Sequence, residues 1–221
     1  MTSPSPLLYD TYYHIYNRGN NRENIFIEER NYEYFMALYA KYIDPVAEAF
    51  AYCLLRNHFH VLLRVKSEVE IIETLMVSSD VKKTLKVSCS QEKPLGSILG
   101  EGFVSKQFSD FFNAYAKSIN KAYNRTGSLF QHPFGRVMVT SDRQFWAAVR
   151  YIHQNPQKHK FVDDFRDWKW SSYGTMLSEK PTRLSRGAVM EWFGNRDEYL
   201  SLHAEWVEDA KMRWFAEVDD D

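Results

Sequence analysis

The chain is 221 residues long, 44% hydrophobic and 16% aromatic, which excludes intrinsic disorder and fits one domain with an appendage. Its apolar runs fall far short of a bilayer span, and its start, "MTSPSPLLYD", lacks the basic and apolar segments of a secretory signal, so the expected setting is the cytoplasm, with no membrane partner. The net charge of −1 hides an uneven distribution: residues 117–160 hold eight Lys/Arg against Asp142 alone, whereas residues 196–221 hold nine Asp/Glu against three Lys/Arg. A basic middle of this kind suits a phosphate-binding face, though an ordinary solvated face reads the same way. Two cysteines, Cys53 and Cys89, allow one disulfide but no framework.

In chain order, "TYYHIYNRGN" predicts a strand rich in aromatic and β-branched residues, ended by a Gly-Asn-Asn turn. "EERNYEYFMALYAKYID" predicts a helix with Tyr34, Phe35, Leu38 and Tyr42 as its apolar stripe, stopping before Pro45. "EAFAYCLLRNHFHVLLRV" reads as two strands around an Arg56-Asn57 corner, a tight hairpin. "EVEIIETLMVS" predicts a short helix, and residues 78–100 read as an inserted loop containing Pro94, Gly96 and Gly100. "VSKQFSDFFNAYAKSINKAYNR" predicts a long amphipathic helix closed by Gly127. "FGRVMVTS" is a fourth strand, and "DRQFWAAVRYIHQNP" a helix capped by Ser141 or Asp142 and ended at Pro156.

This order points to an α+β chain with a ferredoxin-like, split βαβ (RRM-like) arrangement: an antiparallel sheet with helices on one face. The second helical element is duplicated. The division expected is a domain over 1–165, with 78–100 inserted, and a helical extension over 166–221 that ends in the acidic tail.

Within "RNHFHVLLRV", strand alternation sends His58 and His60 to one face and Phe59, Val61 and Leu63 to the other. The spacing lets two imidazoles reach one ion, but alone it favours packed or surface histidines over ligands. A third ligand and a reacting group are also required. The helix ending "VRYIHQNP" offers both: Tyr151 and Asn155 lie one turn apart, a phenol nucleophile and an amide oxygen. Tyr199, with His203 at i+4, repeats the pattern but sits in the acidic tail. Tyr115 on the long helix has Ile119 at i+4 and so lacks a paired ligand.

Together "AYCLLRNHFHVLL", "GSLFQ", "RYIHQNPQKHKFV" and "WKWSSY" resemble the HUH-type single-tyrosine (Y1) transposases, most of all the REP-associated tyrosine transposases related to the IS200 group. The resemblance covers about residues 9–175. It implies a metal pair at His58 and His60 around Phe59, a nucleophile at Tyr151 and a third ligand at Asn155. Arg56 stands where such proteins often have proline, and "HPF" at 132–134 replaces a more usual basic pattern.

The family implies an endonuclease and strand transferase acting on single-stranded, hairpin-containing DNA, in transposition or mobilisation of repeated elements. A Mg²⁺ or Mn²⁺ ion would polarise the phosphate, and Tyr151 would attack to leave a 5′-phosphotyrosine. Positive charge from the ion, Arg150 or Lys158 would favour the phenolate. DNA would contact the basic residues Lys117, Lys121, Arg125, Arg136, Arg143, Arg150, Lys158 and Lys160. Exposed aromatics among Phe130, Trp168, Trp170 and Tyr173 could stack on bases, with core packing as the competing role for the tryptophans. The competing readings are a non-catalytic single-strand-binding module derived from a transposase and a metal-dependent nuclease using water. Relatives occur as monomers and as dimers, which leaves a homodimer open.

Overall fold

The structure, a computed structural model, describes residues 6–77, 99–100 and 102–205. The expected loop at 78–100 lies almost wholly outside those residues, as do Cys89 and most of the acidic tail. Four strands, β1 (Tyr12–Arg18), β2 (Ala47–Leu54), β3 (His58–Val65) and β4 (Gly135–Val139), form one sheet in the order β2-β3-β1-β4. Every neighbouring pair is antiparallel. Helix α1 (Glu29–Tyr42) joins β1 to β2, while α2 (Glu68–Val77) and α3 (Phe103–Ala122) lie between β3 and β4. This is the split βαβ arrangement with its second helical element doubled.

The crossover helices cover one face. Tyr13 and Ile15 of β1 and Phe59, Val61 and Leu63 of β3 pack there with Phe35 and Leu38 of α1 and Phe108, Phe111 and Tyr115 of α3. Each such side chain contributes roughly 1.5–3 kcal/mol of hydrophobic burial. Tyr34, expected in the stripe of α1, is instead 40% exposed. Its hydroxyl bonds Ser118 Oγ at 2.9 Å, and Tyr32 and Tyr39 take the buried positions. Helix α3 stops at Ala122, before the left-handed Asn124 (φ 50°); Gly127 (φ 84°) sits in the turn beyond.

The opposite face holds a second core. Helix α4 (Asp142–Lys158) lays Phe145, Val149 and Ile152 against Phe50, Cys53 and Leu62 of the sheet. Ser141 caps it, Oγ accepting from Gln144 N. The helix runs through Pro156 to Lys158 rather than ending at the proline. Proline removes only its own N–H, so the Ile152 carbonyl alone loses its helical donor, a loss tolerated in a last turn.

Residues beyond 165 pack on the same core: α5 (Tyr173–Leu177), α6 (Arg186–Phe193) and α7 (Arg196–Ala204) supply Tyr173, Val189, Phe193 and Tyr199. They also cover the edge of β2. Leu54 N donates to Trp170 O (2.9 Å), Ser172 N to Tyr52 O (2.9 Å) and Ser185 N to Ala49 O (2.9 Å). A bare strand edge invites pairing with other chains, and this contact removes it. No helix among the described residues is long and apolar enough to cross a membrane.

A buried polar network ties α4 to α7. His153 Nε2 meets Ser172 Oγ at 2.7 Å and its Nδ1 meets His203 Nε2 at 2.9 Å. Burial holds His153 well below the ordinary histidine value. Burial also lowers His203 to about 4, with nearby Arg150 adding to the effect and the bond to the Tyr199 carbonyl opposing it. Below pH 6.5 the unfolded chain therefore binds protons that the folded one refuses. The stabilisation is complete above that pH and is lost as the pH falls towards 4.

Two outcomes are expected. The Tm should fall between pH 6.5 and about 4, more steeply in the natural chain than in His203→Phe; equal slopes in thermal melts would exclude this pair as the acid-sensitive part of the core. Separately, a Cβ on Gly135 would lie 1.9 Å from the Tyr16 ring, so Gly135→Ala should destabilise by about 1–3 kcal/mol in chemical denaturation.

Candidate active site

The second face of the sheet carries the polar cluster. Because β1 pairs with β3 in antiparallel register, Tyr16 lies opposite His60 and Arg18 opposite His58. Alternation then places His14, Tyr16, Arg18, His58 and His60 on one face, the one that α4 covers. From α4, Tyr151 presents its ring edge to His60 at 5.6 Å between centroids and to His14 at 6.0 Å. One turn on, Asn155 Oδ1 lies 3.1 Å from His58 Nε2. The structure thus brings together the four residues singled out by the motifs. All are enclosed: Tyr151 is 3% exposed, His58 and Asn155 1%, and His60 fully buried.

Neighbouring groups set the orientation of the two imidazoles. Asn57 Oδ1 lies 2.7 Å from His58 Nδ1. Asn57 Oδ1 can only accept, so an Nδ1–H donating to it would leave the lone pair on His58 Nε2, the atom that faces Asn155. His60 Nδ1 is 3.0 Å from His14 Nε2, with the two rings stacked at 5.1 Å. Neither Asn57 nor His14 announced itself in the sequence. His14 alternates correctly on its strand, but nothing local says that this strand lies beside His60.

The donor set fits a divalent cation. Two imidazoles and an amide oxygen lie together, and with the His58 proton on Nδ1 its Nε2 and Asn155 Oδ1 would both present lone pairs across 3.1 Å. Two acceptors at that distance repel unless a cation or proton lies between them. Meanwhile Asn155 Nδ2 is buried with no hydrogen-bond partner among the described residues. Among the described residues no three His, Cys, Asp or Glu side chains cluster as ligands, so any such site depends on the amide.

The last turn of α4 forms the rim. Lys158 Nζ sits 5.1 Å from the centre of the Tyr151 ring, and the His159 ring meets His58 edge-on at 4.9 Å. The other basic candidates are dispersed. Lys117, Lys121 and Arg125 belong to α3 and its end, beyond the opposite face, where Arg125 pairs with Glu23. Arg136 points to that same face with its guanidinium 4.1 Å from the Phe134 ring. Arg143 and Lys160 are exposed at either end of α4, and Arg150 donates to the Glu205 carbonyl at 2.8 Å. Of the eight, Lys158 alone contacts a ring of the site.

The alternative tyrosines sit elsewhere. Tyr115 is fully buried in the first core, its hydroxyl donating to Ile25 O at 2.7 Å, and burial pushes its phenol far up. Tyr199 is equally enclosed, stacked among Tyr173, Phe193 and His203, and burial raises it likewise. The aromatics proposed for base stacking pack as follows: Phe130 and Tyr173 are buried, Trp170 stacks on Tyr32 at 4.7 Å, and Trp168 Nε1 donates to Leu54 O at 2.9 Å.

The antiparallel split βαβ sheet, with a histidine pair facing a tyrosine-bearing helix, makes this an α+β, ferredoxin-like fold. The chain is similar to a protein of Haemophilus influenzae named as a REP-associated tyrosine transposase, at 23% identity over 128 residues. That match takes in 57% of this chain and 58% of the relative's length. A solved structure of a REP-associated tyrosine transposase bound to a REP hairpin shares the fold, with a TM-score of 0.54 at 15% identity over 82% of this chain and 88% of that one. Both findings support the family resemblance carried by the motifs; no protein-family model matches the chain.

The tautomer of His58 is directly measurable. Long-range ¹⁵N spectra should show the Nδ1–H form, and Asn57→Ala should move it towards Nε2–H; an Nε2–H tautomer in the unaltered chain would contradict the orientation described.

Proposed function

We propose that the protein binds hairpin-containing single-stranded DNA and cleaves and rejoins it through a covalent tyrosine intermediate. The observation that carries this reading is the single buried cluster of Tyr151, His58, His60 and Asn155, with the phenol edge-on to His60 and the amide oxygen 3.1 Å from His58. The fold shared with a hairpin-bound transposase and the similarity to the Haemophilus protein support it.

His58, His60 and Asn155 would hold a Mg²⁺ or Mn²⁺ ion, whose positive charge at a non-bridging oxygen would stabilise the developing negative charge of the transition state. The residues do the rest. Asn57 and His14 keep the imidazoles in the ligating orientation. Lys158 places a cation beside the Tyr151 ring, where an incoming phosphate has to approach. Tyr151 Oη loses its proton and attacks phosphorus, the bond to the 3′ oxygen breaks, and that oxygen takes up a proton. A 5′-phosphotyrosine and a 3′-hydroxyl result. The phosphodiester bond is exchanged rather than hydrolysed, so rejoining by the reverse attack needs no nucleotide triphosphate. Because the tyrosine is enclosed, a DNA strand has to displace the Lys158–His159 rim to reach it.

Labelled hairpin DNA with single-stranded flanks, incubated with Mn²⁺, should yield an SDS-stable adduct that EDTA, His58→Ala and Tyr151→Phe abolish. An adduct that survives Tyr151→Phe and disappears in Tyr115→Phe would move the nucleophile. Cleavage with no adduct would instead indicate a water-using nuclease, and tight binding without cleavage a non-catalytic module.

A further inference from the structure

Arg18 is 7% exposed, yet its Nε is buried without a hydrogen-bond partner among the described residues. No acidic side chain there pairs with it, whereas Arg64, Arg125 and Arg166 all have carboxylates within reach. An arginine stays charged at any physiological pH. A buried N–H donor without an acceptor is costly, and native folds rarely keep one without a use. Its place is specific: Arg18 is the cross-strand partner of His58, on the face shared by His58, His60 and Tyr151. Directly opposed side chains in an antiparallel pair lie about 4.5–5.5 Å apart at Cβ, so the Arg18 side chain starts beside His58, the residue that Asn155 meets.

We propose that Arg18 is a phosphate-binding residue of the site, its guanidinium taking the non-bridging oxygens of the single-stranded DNA backbone at or beside the phosphodiester that Tyr151 attacks. The inference rests on the function proposed above. A planar fork of N–H donors matches two phosphate oxygens, and the anion supplies the countercharge that the free fold withholds. Lys158 on the rim and Arg18 at the floor would approach the strand from opposite sides.

The test uses full-length protein carrying Tyr151→Phe, so that binding is read without turnover, and hairpin oligonucleotides in which one flanking phosphate at a time is a neutral methylphosphonate. One such replacement should weaken binding about 10- to 100-fold, the range for a hydrogen-bonded charge. Adding Arg18→Met should cause the same loss on unmodified DNA and no further loss on that one oligonucleotide, while other replacements act as before. The slope of log K against log salt should become shallower by about 0.7, one single-strand phosphate. Without DNA, Arg18→Met should melt no lower than the parent, because a buried N–H without an acceptor has gone; Arg18→Lys should recover part of the affinity. Unchanged affinity in Arg18→Met, full additivity with every methylphosphonate, or a lowered Tm would each overturn the proposal. Absence of hairpin binding by the parent would overturn it together with the proposed function. A cycle that closes at one phosphate in a protein whose Tyr151 forms no adduct would leave Arg18 in place and refute only the cleavage chemistry.

Discussion

The antiparallel register between β1 and β3 sets Tyr16 against His60 and Arg18 against His58, and the candidate site follows from it. With the register fixed, alternation sends His14, Arg18 and both motif histidines to one face and Ile15, Phe59 and Val61 to the other. A slip of one residue would exchange the two sets, burying charge in the first core and apolar side chains under α4. The hydrophobic demand of the first core is therefore what holds the polar constellation of the second face in place.

That second face needs a cover able to carry chemistry, and α4 provides it. Its Phe145, Val149 and Ile152 anchor it to the sheet, which leaves Tyr151 and Asn155 aimed at the histidines. The segment after residue 165 packs behind α4 and seals the β2 edge through Leu54, Tyr52 and Ala49. The tyrosine helix is thus held from both sides, by the sheet below and by α6 and α7 behind. Precision of this kind is what a phenol and an amide ligand on one helix require, since small displacements are costly at a reacting centre.

The site concentrates buried polar groups. His14, His58, His60, Asn155 and Arg18 are all at most 7% exposed. Imidazoles and amides meet this by bonding one another, as His14 with His60 and Asn57 with His58 do. Among the described residues Arg18 Nε and Asn155 Nδ2 do not. Buried polar groups left without a partner cost stability, and a fold keeps them most readily where binding or catalysis uses them.

Much of the arrangement was legible in the residues. Strand periodicity, the Arg56-Asn57 corner and the helical stripes were enough for the split βαβ order, because two-residue and 3.6-residue periods express burial directly. The i, i+4 spacing of Tyr151 and Asn155 placed them on one helix face, and the Phe59 alternation placed the histidines on one strand face. Other features had no local signature. That α4 crosses to the face opposite α1 and α3, that His14 and Arg18 sit beside the histidine pair, and that Tyr34 turns outward all depend on which elements become neighbours. The basic residues between 117 and 160 look like one strip in the sequence, but α3 and α4 carry them to opposite sides of the sheet. Sequence by itself determined the elements and which residues share a face, since both follow from backbone geometry. Only the tertiary structure decided which faces meet, because that choice is made by packing between residues far apart in the chain.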